Sequence, residues 1–144
     1  MAYKTERVGK YSELIARAAL IANGWGAVST SETEESFDIS ARDPLTNEWK
    51  TFQCKTIRKR SDRKDELVVI ARNGKGNAYD QSDADYIIGV LGEDGELPRV
   101  WMFENRGLQE YWATEARASK RWVELTICLD RSVFETNNVE AVGL

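Results

Sequence analysis

Over residues 6–23 the apolar side chains Val8, Tyr11, Leu14, Ile15, Ala18, Ala19 and Ala22 recur at three- and four-residue steps. That period predicts a long amphipathic helix, and Gly24 supplies a left-handed stop. Leu20 and Ile21 lie off the stripe, so the helix is expected to touch protein on more than one side, as a helix laid over a sheet does. Residues 25–30 then read as a first strand, followed by an acidic loop (Glu32, Glu34, Glu35) and a second strand over residues 36–42. The run Asp43-Pro44-Leu45-Thr46-Asn47-Glu48 is turn-forming, because Asp and Asn bond their own backbone and proline presets φ. A hairpin is therefore predicted. Its partner, residues 49–57, alternates: Phe52 and Cys54 point to one face, and Thr51, Gln53 and Lys55 to the other.

Beyond a charged loop, the β-branched run in residues 66–72 has the composition of an interior strand. Residues 73–77 break it, 78–84 carry a weak helical pattern, and 86–91 form another apolar strand. Glu93-Asp94-Gly95-Glu96 turns the chain into a strand over 99–103. A helix is predicted over 108–117 and a late strand over 122–129, with the last fifteen residues ambiguous. The succession describes an α/β layout with one mixed sheet flanked by helices. The tryptophans fall mostly at core positions, while Trp112 beside Tyr111 is also suited to an oligomer contact.

The chain has 144 residues, 42% apolar and 31% charged, with two prolines and no low-complexity stretch. One domain spanning residues 1–144 is expected. No apolar stretch approaches a membrane span and the first residues lack a signal-peptide apolar region, so a cytoplasmic, non-secreted protein is expected. Cys54 and Cys128 are accordingly read as buried thiols in strands rather than as a disulfide.

Histidine is absent, which excludes Ser-His-Asp triads, Cys-His pairs, histidine-bound zinc and a histidine general base. Hydrolysis here must rest on carboxylates, lysine and a hard metal ion. The net charge of −4 argues mildly against an anionic partner, but it hides segregation. Between Trp49 and Lys64 lie Lys50, Lys55, Arg58, Lys59, Arg60, Arg63 and Lys64 against one acid, Asp62. Such a local field attracts phosphates even on an acidic protein.

Asp38 sits between Phe37 and Ile39, and alternation turns its carboxylate away from both. Gln53 and Lys55, two apart on the paired strand, share one face. Each residue alone fits an ordinary polar surface, but the hairpin between them brings a carboxylate, an amide oxygen and an ammonium together. Phosphodiester hydrolysis uses such a set: oxygen ligands to hold a metal ion, and a lysine near the attacking water. Magnesium suits it, since that ion takes one or two protein carboxylates and keeps several waters.

Gly9-Lys10-Tyr11-Ser12-Glu13, Phe37-Asp38-Ile39 and Gln53-Cys54-Lys55, in this order and spacing, resemble the PD-(D/E)xK nuclease superfamily. The resemblance is nearest the branch of archaeal-type Holliday junction resolvases and the PD-(D/E)xK homing endonucleases of bacterial introns. The segment from Tyr79 through Asp83 to Val90 resembles the helix-to-strand piece that follows the motif there. Residues 9–103 are covered. The resemblance implies a restriction-endonuclease-like core and a Mg2+-dependent DNA endonuclease, with Mn2+ as substitute, of bacterial, phage or archaeal type. It makes Asp38 the central metal ligand, Gln53 the counterpart of the second acid, and Lys55 the catalytic lysine. Glu13 would reach the ion directly or through water, and the Cys54 main-chain carbonyl would be a further ligand. Phe37 replaces the eponymous proline, and Gln53 removes one negative charge from the metal site, although some active relatives carry glutamine there.

Double-stranded or branched DNA is the implied partner, met by a homodimer or higher homo-oligomer. Arg58, Lys59, Arg60, Arg63 and Lys64 follow the motif strand and are placed to contact phosphates. Lys75 in its turn offers a second phosphate contact, and Tyr79 a stacking or backbone contact. The competing reading is a DNA-binding or protein-interaction module that keeps the fold but has lost hydrolysis through Gln53.

Overall fold

The computed structural model describes residues 2–33, 35–73 and 75–134. Glu34 of the acidic loop, Gly74 of the 73–77 break and residues 135–144 of the tail lie outside the described residues. In chain order the elements are α1 (Ala2–Ala22), β1 (Gly26–Thr30), β2 (Ile39–Arg42), β3 (Trp49–Thr56), β4 (Arg58–Arg60), a 3-10 turn (Ser61–Arg63), β5 (Glu66–Ile70), β6 (Tyr86–Leu91), β7 (Arg99–Glu104), β8 (Glu110–Ala113), α2 (Glu115–Arg121) and β9 (Val123–Leu125).

Six strands form a mixed sheet in the order β1-β2-β3-β6-β7-β9, in which β3 and β6 are parallel and every other pair is antiparallel. The strands β4-β5-β8 form a second sheet of three. α1 lies on one face of the large sheet; the small sheet and α2 cover the other. Two cores result. Ala16, Ala19 and Leu20 of α1 pack on Ile39, Phe52, Ile88, Val90 and Val100. On the opposite face Ile57, Leu67, Val69, Ile87, Trp101, Tyr111 and Trp122 pack together. Burying side chains of this size contributes about 1.5–3 kcal/mol each.

α1 ends as its glycine dictates. Gly24 has φ of +89°, its N–H donates to the Ile21 carbonyl at 3.0 Å, and Trp25 N–H donates to the Leu20 carbonyl at 3.0 Å, the paired bonds of a Schellman motif. The buried face of α1, however, is rotated from the one its pattern predicts. Ser12, Ala16, Ala19 and Leu20 are buried, whereas Val8, Tyr11, Leu14 and Ala18 are exposed.

Other expectations are corrected. The single sheet is two, because β5 joins β4 and β8 instead of the large sheet. The charged loop after β3 contains β4 and the 3-10 turn. No helix forms over 78–84: Asp80 N–H donates to the Asp83 carboxylate at 2.7 Å and Ser82 N–H to the Asp80 carboxylate at 2.9 Å, side-chain bonds that outcompete a helix. The helix expected over 108–117 is β8 followed by α2. Tyr111 and Ala113 alternate inward against β5, and the Tyr111 hydroxyl accepts from Arg106 N–H at 2.9 Å. The second strand begins at Ile39 rather than at residue 36, and the late strand shortens to β9. Both cysteines are free, but Cys128 is exposed and outside any strand. Trp101 and Trp122 are core residues; Trp49 and Trp112 are exposed.

Candidate active site

Asp38 stands one residue before β2, at a bend where the β1–β2 connection joins the sheet. Its main chain is already sheet-like. The N–H donates to the Phe52 carbonyl at 2.9 Å, and the carbonyl accepts from Ser31 N–H at 3.1 Å. Its carboxylate takes the next position in the ladder, accepting the Cys54 N–H at 2.9 Å. A side chain thus substitutes for a strand carbonyl, which fixes the carboxylate against the main chain of residue 54. The second carboxylate oxygen accepts no hydrogen bond from the described residues.

β3 presents the rest. The β2–β3 register pairs Ile39 with Phe52, so Asp38 falls opposite Gln53. Gln53 is only 5% exposed, and its amide nitrogen donates to the Ser36 carbonyl, which turns the amide oxygen away from Ser36. Lys55 is half-buried, its ammonium 3.1 Å from the Arg72 carbonyl and 4.8 Å from the centre of the Tyr79 ring. Opposite Lys55 on β6 is Gly89, where an added Cβ would come within 2.9 Å of the Ile57 side chain. A side chain at 89 would crowd the layer that supports the lysine.

Glu13 comes from α1, half-buried. The neighbouring Ser12 hydroxyl is 2.8 Å from the Thr56 hydroxyl, which ties that turn of the helix to the end of β3. The Cys54 thiol registers the resulting field. Burial pushes its pKa up, the charges of Asp38 and Glu13 raise it further, and Lys55 opposes them. Asp38 just before β2, Glu13 on α1 and Lys55 on β3 are thus all near enough to the Cys54 thiol to shift it.

As a metal site this donor set is sparse. Among the described residues no three His, Cys, Asp or Glu side chains form a cluster able to hold an ion. The set suits a hard cation that keeps most of its waters and takes substrate oxygens, as Mg2+ does; it does not suit an ion needing a full protein cage.

The residues placed for DNA contact divide. Lys59 pairs with Glu115 at 3.0 Å and Glu93 at 3.3 Å, Arg60 with Asp62 at 2.7 Å, and Arg63 with Glu66 at 2.5 Å and with Glu110. Hydrogen bonds to these acids hold all three basic groups above their usual pKa ranges. Arg58, Lys64 and Lys75 are exposed and have no ion-pair partner among the described residues. Tyr79 is half-buried against the second core, under Lys55. The Arg72 carbonyl was not anticipated from the sequence; a main-chain acceptor leaves no residue-type signal. A cavity of about 940 Å³ lies elsewhere, among Trp25, Tyr86, Phe103, Trp112 and Trp122.

A helix on one face of a six-stranded mixed sheet, with a smaller sheet and a short helix on the other, is the fold that positions these residues. Among solved structures, the bacterial homing endonuclease I-Ssp6803I shares it, with a TM-score of 0.60 and 20% identity over 77% of this chain and 78% of that one. The chain matches no family model and no curated protein.

Proposed function

We propose that the chain is a metal-dependent DNA endonuclease hydrolysing phosphodiester bonds, with Asp38, Gln53 and Lys55 at the reacting phosphate and Glu13 assisting. The observation that supports this most is the bond from Cys54 N–H to the Asp38 carboxylate, because it locks the acid beside the strand that carries Gln53 and Lys55. Asp38, the Gln53 amide oxygen and the Cys54 carbonyl would hold Mg2+ or Mn2+, with Glu13 direct or through water. The ion, when bound, supplies neutralisation of phosphate charge.

Asp38 is suited to its part because one oxygen is fixed by the protein and the other is free. Lys55 is a half-buried ammonium two residues from Gln53 on β3, placed to orient the attacking water and to offset charge on the phosphoryl oxygens. Water oxygen bonds to phosphorus, the ester P–O bond breaks, and the water proton ends on the departing hydroxyl. One such site cuts one strand, so symmetric copies would supply the second cut, and a homodimer or higher homo-oligomer follows. Site-specific cleavage of the homing kind and resolution of branched DNA both remain within this chemistry, in a cytoplasmic setting.

A second reading has its own support. Gln53 is uncharged and its nitrogen is committed to Ser36, which favours a DNA-binding module without hydrolysis. Linear, supercoiled and four-way DNA incubated with the protein and Mg2+ or Mn2+ separates the two. Cleavage abolished by Asp38→Ala supports the endonuclease; salt-sensitive binding with every substrate left intact establishes the second reading.

A further inference from the structure

Lysine is a flexible four-carbon stem ending in three donors, and a catalytic ammonium must be aimed. Here one donor of Lys55 is used by the Arg72 carbonyl at 3.1 Å, and the Tyr79 ring lies 4.8 Å below the charge, within the range of a cation–π contact. Both partners belong to one small structure. Arg72 and Ala78 form a bridge, and Asn73 closes its tip, accepting from Lys75 N–H and Asn77 N–H at 2.9 and 3.1 Å. Tyr79 leans on the second core, and the chain after it is held by Asn105, whose amide donates to the Asp80 carbonyl at 2.9 Å. The Tyr79 hydroxyl has no hydrogen-bond partner among the described residues, so what the residue offers is its ring face.

We propose that Tyr79 is a positioning residue for Lys55: with the Arg72 carbonyl it clamps the ammonium from one side, leaving its remaining donors directed at the substrate phosphate. The inference rests on the endonuclease reading for its catalytic consequence, but the clamp is a property of the protein alone. Tyr79 then acts through Lys55 rather than by stacking on DNA.

The test uses the full-length protein with 13C-labelled lysine, and Tyr79→Phe and Tyr79→Leu variants. In the wild type one lysine Cε–Hε signal is shifted upfield by the ring; Lys55→Arg removes and thereby assigns it. Tyr79→Phe keeps the shift and Tyr79→Leu loses it. In cleavage, Tyr79→Leu lowers kcat roughly 10- to 100-fold, the scale of a misaimed catalytic group, with KM and DNA affinity unchanged, while Tyr79→Phe cuts like wild type. Absence of a ring-shifted lysine in the wild type overturns the clamp, and so does Tyr79→Leu cutting at the wild-type rate. If the wild type cuts no DNA, the endonuclease reading fails and the lysine spectrum alone decides the clamp. If Tyr79→Leu does not fold, the wild-type and Tyr79→Phe spectra decide it.

Discussion

Gln53-Cys54-Lys55 and the run from Arg58 to Lys64 are neighbours in the chain, both polar and both marked for phosphate chemistry by their residue types. The fold treats them differently. In the first, Asp38 and Lys55 are held by main-chain partners, the Cys54 amide and the Arg72 carbonyl, so neither spends its charge on a salt bridge. In the second, Lys59, Arg60 and Arg63 each meet at least one carboxylate. Charge held by backbone dipoles remains available to a ligand, whereas charge held by an opposite charge has been used in building the protein. A cluster of cations in a sequence is therefore a weaker sign of a phosphate surface than a pair held without counter-charges.

The contrast is broken most severely at the first region. Asp38→Ala or Lys55→Ala should lower metal-dependent cleavage by at least about 100-fold while leaving DNA affinity within a few-fold, measured by single-turnover cleavage and by titration of labelled DNA. Equal loss of cleavage and binding would show instead that these groups only hold DNA.

At the second region the expected effect is on the protein. Arg63→Ala frees Glu66 and Glu110 and should lower the urea midpoint, with the salt dependence of DNA binding unchanged. Lys64→Ala and Lys75→Ala should do the reverse: an unchanged midpoint, and a log–log salt slope smaller by about 1 for each phosphate that no longer meets its cation. An Arg63 variant with a reduced salt slope would place the paired run on DNA after all.

The smallest effect sharpens the electrostatics of the site. Cys54, whose thiol is raised by burial and by Asp38 and Glu13, should react with an alkylating reagent far more slowly than exposed Cys128, and Asp38→Asn should narrow that gap. The same shift has a sign for stability. The folded thiol stays protonated where the unfolded one ionises, so stability should fall as pH rises above the ordinary thiol range, and Cys54→Ala should remove that part of the alkaline limb.

Local rules made much of the molecule legible. The first helix and its Gly24 stop, the 43–48 turn, the Gln53/Lys55 face and the strand over residues 86–91 follow from spacing and turn chemistry that act within a few residues. The misread parts were decided by different interactions. Residues 78–84 and 108–117 have helical periodicity but were settled by Asp80 and Asp83 side-chain bonds and by pairing of β8 with β5. The buried face of α1 was settled by its packing on the large sheet.

Thus the order of the motif and the absence of histidine chemistry were determined by the sequence alone, and the alternation of β3 by peptide geometry acting residue by residue. Only tertiary structure decided that β5 leaves the main sheet, that the distant acids Glu93, Glu115 and Glu110 pair with Lys59 and Arg63, and that a hairpin 17 residues beyond Lys55 receives its ammonium. Those outcomes depend on contacts between segments far apart in the chain, whose energies exist only after the chain has closed on itself.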